Sequence, residues 1–188
     1  MNELLKEVLK YIPDKAEIVE SSFEGASIIL YTKNREFFLN NGEVIKNIVD
    51  AVKKRVELRP DVSLLMDQEK AEKEIKKLIP EEAGLTNLIF DVPRSKVILE
   101  ASKPGLAIGK SGELLKEIKK KTLWIPLVRR TPPIRSLIIE KIRSVLYENN
   151  DYRKKFLNNV GERIYGGWTN EKKDEWIRVT ILGAGRQV

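Results

Sequence analysis

The sequence predicts an α+β protein made of two tandem copies of one unit, each running helix, strand, strand, helix, helix, strand (αββααβ). Three observations carry this. First, sliding the chain by 70 residues lays it on itself. Leu5, Val8 and Leu9 fall on Ile75, Leu78 and Ile79; Ile28 on Ile98; Thr32 and Lys33 on Ser102 and Lys103; Gly42, Glu43, Lys46 and Ile48 on Gly112, Glu113, Lys116 and Ile118. Second, apolar spacing switches between the helical and the strand period at matching places in both copies. Third, Gly109-Lys110-Ser111-Gly112 stands between two predicted helices of the second copy, where the first has Leu39-Asn40-Asn41-Gly42. The units are expected at 1–66 and 67–132, a helical linker at 133–168 and the start of a further domain at 169–188.

Taken in order, Leu4, Leu5, Val8 and Leu9 form one helical stripe within 3–11, and Pro13-Asp14 ends it. Residues 17–23 and 26–32 read as strands joined at Glu24-Gly25, a hairpin signal. Residues 35–39 read as a short helix, and Asn40-Asn41-Gly42 as a turn. Val44, Ile45, Ile48, Val49 and Val52 make 43–54 an amphipathic helix. An extended segment follows at 55–61, and 62–66 is expected to prolong it. The second copy repeats the order, Pro60 answering Pro132 once two extra residues are allowed. After Thr131-Pro132-Pro133, a helix-start signal, Ile134, Ile138, Ile142 and Val145 form a stripe. A second helix is expected over 151–165 with Phe156, Leu157, Val160 and Ile164 inward, ended by Gly166-Gly167-Trp168. Residues 176–182 alternate as a strand does and run into Gly183-Ala184-Gly185, too short for a dinucleotide fingerprint.

Composition narrows the chemistry. The 188 residues, 41% hydrophobic, can bury one large or two small cores. No run reaches the length of a membrane span, and Met-Asn-Glu does not open a signal peptide, so a soluble, cytoplasmic protein is expected. Cys and His are both absent. That removes disulfides, thiolate metal sites, the usual general base and any Cys-His or Ser-His nucleophile. No catalytic residue, metal or cofactor is therefore expected within this segment. The net charge of +7 is unevenly spread. Residues 103–143 carry eleven Lys/Arg against three Glu, whereas 1–66 carry ten against eleven Asp/Glu. A basic excess confined to the stretch holding the Gly-x-x-Gly loop is the footprint of a polyanion partner.

That loop has the design of a backbone grip. Two glycines let a turn approach a ligand without Cβ atoms in the way. Lys110 supplies a cation, and the N–H groups of the turn and of the next helix can face an anion. Ala107-Ile108 and Leu114-Leu115 flank it as a packed platform. A P-loop needs four residues between its first Gly and Gly-Lys-Ser/Thr, but only Leu106, Ala107 and Ile108 separate Gly105 from Gly109. The plain alternative is a helix–turn–helix with no ligand. From chemistry alone, the second unit should bind single-stranded nucleic acid, with phosphates on Gly109, Lys110, Ser111 and Gly112 and Lys116 beside them. Bases would lie in a groove floored by Ile108, Leu115, Leu127 and Val128, with Arg129 and Arg130 on its rim. Trp124 is the one aromatic expected near that groove, so stacking should be minor. The first unit lacks both clamp and field and reads as a packing or positioning module.

The pattern Ala107-Ile108-Gly109-Lys110-Ser111-Gly112, with Leu115 after it, resembles the G-x-x-G loop of K-homology (KH) domains, which clamps about four backbone nucleotides. The αββααβ order resembles the type II form of that fold. Two such units, only the second with G-x-x-G, then two helices and a strand ending Leu182-Gly183-Ala184-Gly185-Arg186-Gln187-Val188, resemble the archaeal cleavage and polyadenylation specificity factor (CPSF) homologues. These are β-CASP metallo-β-lactamase ribonucleases with N-terminal tandem KH domains. The resemblance implies that 169–188 open a truncated metallo-β-lactamase domain and that zinc belongs to a domain downstream. It implies RNA, U-rich by preference, as ligand, and a role in RNA 3′-end processing or transcription termination. It also implies the transcription or RNA-processing machinery as partner and a homodimer formed through the downstream domain. The alternative is a protein-interaction or dimerisation module without direct nucleic-acid binding.

Overall fold

The computed structural model describes residues 3–40, 42–132, 134 and 136–166. Its first unit is α1 (Glu3–Lys10), β1 (Ile18–Glu24), β2 (Ser27–Thr32), α2 (Arg35–Leu39), α3 (Gly42–Val52) and β3 (Arg55–Pro60). The second is α4 (Gln68–Leu78), β4 (Leu85–Asp91), β5 (Lys96–Ala101), α5 (Pro104–Ile108), α6 (Glu113–Thr122) and β6 (Ile125–Arg130). α7 (Leu137–Glu148) and α8 (Asn150–Gly166) follow. Each unit holds one three-stranded sheet, β1-β2-β3 or β4-β5-β6, with an antiparallel first pair and a parallel second pair. This is a mixed α+β architecture of two tandem KH-like units.

Each helical layer buries one sheet face. Leu5 and Val8 of α1, Ile48 of α3 and Phe37 and Phe38 of α2 close on Phe23, Ile28, Leu30, Val56 and Leu58. In the second unit Ala71 and Ile75 of α4, Ala107 of α5 and Ile118 of α6 close on Val97, Leu99, Ala101 and Trp124. Each fully buried aliphatic side chain contributes about 1.5–3 kcal/mol. Local capping fixes the helix starts: Asn34 accepts from the Phe37 amide (2.9 Å), and Asp67 from the amides of Glu69 and Lys70.

The two units repeat in order, but not at a constant spacing. The Ala16 amide donates to Pro13 and the Ala83 amide to Pro80, and Phe23↔Ile28 answers Phe90↔Val97. These pairs set β1 against β4 at 67 residues and β2 against β5 at 69. The cause is the hairpin: two residues separate Glu24 from Ser27, four separate Asp91 from Lys96. A second step lies at the loop itself. Leu39 ends α2 as Ile108 ends α5, but two residues lead to Gly42 and four to Glu113. Leu39 is thus the counterpart of Ile108, not of Gly109; Lys53 closes α3 as Leu123 closes α6, so Gly42 answers Gly112 and the first unit lacks one residue of the G-x-x-G turn.

Three further expectations are corrected. Residues 62–66 do not prolong β3; Asp61 accepts from the Ser63 amide and hydroxyl and starts a 3-10 turn over Val62–Leu64. α7 starts at Leu137, not after Pro133, because Ser136 caps it. On α8, Phe156 and Ile164 point to solvent. Its inward face is Lys154, Leu157, Asn158, Gly161 and Tyr165, since α8 sits on the edge strand β1 rather than on an apolar layer. Asn158 Oδ1 accepts from the Phe23 amide (2.9 Å), and the Leu157 carbonyl from the Gly25 amide (3.1 Å). A Cβ on Gly161 would lie 2.1 Å from Phe23 Cβ, so only glycine lets the helix lie this close. The strand expected at 176–182 lies outside the described residues.

Candidate nucleic-acid interface

The loop begins where α5 runs out of helical hydrogen bonds. Gly109 donates to the Gly105 carbonyl (3.1 Å) and then leaves the helix at φ +75°. Ser111 (φ +55°) and Gly112 (φ +74°) are left-handed too. A Cβ on Gly109 would meet Leu114 Cγ at 2.9 Å, so the first glycine is required by both conformation and packing. Around Gly112 there is open space, as a ligand's approach demands. Lys110 and Ser111 are exposed at the crest. Gly112 leads into α6 without any side-chain cap, which leaves amide donors of the helix start free for an anion.

Beneath the loop, α5, α6 and β6 meet around a groove. Ile108, Leu115 and Val128 are half-buried along it, and Leu115 and Val128 join the second core. β6 is the edge of its sheet. The Ile125 amide donates to Ser95 and the Thr131 amide to Ala101, both on the β5 side. By strand alternation the N–H and C=O of Val128 and Arg130 therefore face the open edge. An open edge is a row of ready donors and acceptors. Here it runs beside α5, the helix that leads into the loop.

The sequence-predicted residues divide accordingly. Ile108, Gly109, Lys110, Ser111, Gly112, Leu115, Lys116, Val128 and Arg130 surround one groove. Leu127 and Arg129 do not, because neighbours in a strand point to opposite faces and Val128 faces the helices. Arg129 instead donates to the Tyr147 hydroxyl of α7 (3.4 Å). A cavity of about 590 Å³ lies on that side too, between the sheet and α7, lined by Glu100, Ile139, Arg143 and Tyr147 among others. Trp124 is 2% exposed, packs edge-on against Phe90 and donates to the Met66 carbonyl. It is a core residue and offers no stacking platform.

Among the described residues, Lys103, Lys110, Lys116 and Arg130 make no ion pair. Lys121 is held by Glu117 (3.0 Å). Lys119 is turned to the first unit instead: its Nζ lies 4.1 Å from the Phe38 ring centroid there, and burial pushes its pKa down. No spacing signal marks Lys119 as different from its neighbours. Leu114, read from the sequence as part of the platform flanking the turn, fills the space under Gly109.

Comparison with known proteins fits this geometry. A family model described as "Transcription termination factor FttA, KH domain" matches residues 1–65. A general KH-domain model matches residues 70–122. The transcription termination factor FttA of Thermococcus kodakarensis is 45% identical over 192 residues, and that of Methanothermobacter thermautotrophicus 42% over 189. The chain belongs to the FttA family. A Lokiarchaeum relative of the same name, 31% identical over 189 residues, extends the family to more distant sequences. Each of these alignments covers all of this chain but 29% of the relative, so the chain spans under a third of the family's length. It corresponds to the family's tandem KH region. A general KH model matches only the unit that carries G-x-x-G; the unit without it is matched by a family-specific one.

Proposed function

We propose that the second unit binds single-stranded RNA and that the chain is the RNA-recognition arm of a transcription termination factor. The observation that carries this is the juxtaposition of an uncapped, exposed G-x-x-G turn with the open β6 edge across one apolar groove. Phosphates sit on the crest of the 109–112 turn, beside Lys110 and Ser111, and Lys116 and Arg130 add charge. Ile108, Leu115 and Val128 support the bases, whose edges meet the free backbone groups of Val128 and Arg130. RNA is preferred to a protein partner at this site because Lys103, Lys110, Lys116 and Arg130, exposed on the elements that carry the turn and the groove strand, make no ion pair among the described residues. No aromatic faces the groove among the described residues, so phosphate and hydrogen-bond contacts dominate over stacking. From the family resemblance come U-rich preference and a zinc-dependent ribonuclease as the whole protein. The same source gives a homodimer through a downstream domain, and a place in the cytoplasm with the transcription machinery. We assign domain limits of 1–66, 67–132, 133–168 and 169–188, the last opening a metallo-β-lactamase domain.

Titrating short uridine-rich and adenosine-rich single strands, and DNA of matching sequence, across a salt series tests the reading. Expected is RNA binding whose logarithm falls linearly with log salt at about −0.7 per phosphate contacted, a total near −3 for four nucleotides. Binding without salt dependence, or none at low salt, overturns it. The same sample with added zinc should not cut RNA; cleavage that a chelator abolishes would place a catalytic site in this segment.

A further inference from the structure

The two units present the same groove to different occupants. In the second unit the groove strand is open: Arg129 and Arg130 are exposed and Val128 half-buried. The counterparts Arg59 and Pro60 are buried, and Leu58 is 7% exposed. What covers them is the second unit. By the same alternation the Val56, Leu58 and Pro60 backbone groups face the free edge of β3, and the Pro60 carbonyl there accepts from the Ser95 hydroxyl (2.7 Å). Leu123, at the elbow between α6 and β6, is a buried member of the first unit's core, with Ile125 packed beside it. Lys119 lies over Phe38 of α2, and Arg35 donates to the Lys120 carbonyl. On the outer sheet face Arg59 is held by Glu24 and Glu57, and Glu24 and Glu57 also take Arg94 and Lys96 of the second unit's hairpin.

We propose that the groove of the first unit is an intramolecular docking site, filled by the α6–β6 elbow and the β4–β5 turn of the second, so that no nucleic acid can enter it. The first unit is then the seat of the helix that carries the clamp: α6 bears the G-x-x-G turn at its start and is anchored in the first unit at its end. The shorter turn of the first copy, one residue less, accords with this, since a full clamp there would serve no ligand. The occupied groove stands on geometry alone; only the RNA arm of the test below rests on the reading of the second unit.

The chain has no cysteine, so single cysteines report cleanly. Counterpart variants Leu58→Cys and Val128→Cys would be labelled with a maleimide, free and with saturating uridine-rich RNA. Without RNA, Val128→Cys should react at least tenfold faster; equal rates overturn the filled groove. With RNA, Val128→Cys should be protected and Leu58→Cys unchanged; protection of Leu58→Cys also overturns it. Loss of protection at both positions sinks the RNA reading of the second unit and leaves the docking in place. A graft supplies a second check: Gly-Lys-Ser in place of Asn40-Asn41, completing Gly-Lys-Ser-Gly with Gly42, with native mass spectrometry counting bound strands. One strand per chain is expected, and two would refute the docking. A melt of each variant against the parent identifies any that fail to fold, and the labelling pair then decides.

Discussion

The first and second units share a fold and differ in what their edge strands do. β3 ends in three buried residues, β6 in one half-buried and two exposed. The same αββααβ scaffold thus yields a protein-binding seat in one copy and an open groove in the other. One residue at the loop and two at the hairpin suffice: the longer turn builds the clamp, and the longer hairpin reaches back to lock the pair. A duplicated domain need not duplicate its site; one copy can hold the other still.

The sharpest break of this comparison is at the counterpart arginines. Arg59 is 1% exposed and bonded to Glu24 and Glu57, whereas Arg129 is exposed with one long bond to Tyr147. Arg59→Ala removes a buried partner shared by two part-buried carboxylates, which keep only Arg94 and Lys96, and should cost about 1–3 kcal/mol. Arg129→Ala should cost under about 1 kcal/mol. Denaturant unfolding of both variants checks this, and equal losses would mean that the two faces are not distinct.

Next is the loop. Lys110→Asp with Ser111→Asp puts two negative charges where phosphates would sit, on an exposed turn whose folding should survive. RNA affinity should fall at least tenfold, about 1.4 kcal/mol. Asn40→Asp with Asn41→Asp should change it less than twofold at physiological salt. The reverse result would move the site to the first unit.

A smaller effect is expected from acid. Burial alone would raise the Glu57 pKa, but the Arg59 guanidinium and then the Lys96 ammonium overcome this and hold its carboxyl below the ordinary value. A depressed folded pKa contributes stability that is full above the unfolded value, about 4.3, and lost as pH falls through the folded one. Glu57→Gln should therefore lower stability at neutral pH and flatten the decline of thermal stability below pH 4.3. A parallel decline in both proteins would remove Glu57 from the lock. Smallest of all, Lys116→Ala should lower the RNA salt slope by about 0.7 and leave the melting temperature unchanged.

Much of this was legible in the sequence. Helices and strands of both units, the repeated order and the G-x-x-G loop follow from periodicity and turn residues, because each is a local property. The constant 70-residue offset was not real: averaging over hydrophobic phase hid two insertions in the second copy, which step the offset from 67 to 69 and then 70 and show only in strand pairing and helix ends. Within the site, Gly109, Lys110, Ser111 and Gly112 are read directly. Leu127 and Val128 were assigned together because both are apolar, yet a strand cannot place neighbours on one face. Trp124 and Lys119 were misjudged for a different reason: their partners, Met66, Phe90 and Phe38, lie far along the chain, and no spacing rule foretells such contacts.

The seat of α8 on β1 also bears on how the chain is made. Gly161 packs on Phe23, the Tyr165 hydroxyl donates to the Ala26 carbonyl, and Lys154 pairs with Glu20. These contacts join residues about 135 positions apart. A ribosome delivers β1 first and α8 last, at roughly 5–20 residues per second. For the several seconds between, the first sheet has an uncovered edge, and its β3 lacks the second unit. The first unit, synthesised before the second, is therefore finished only after it, and its early folding intermediate exposes the strand edges that the mature chain hides.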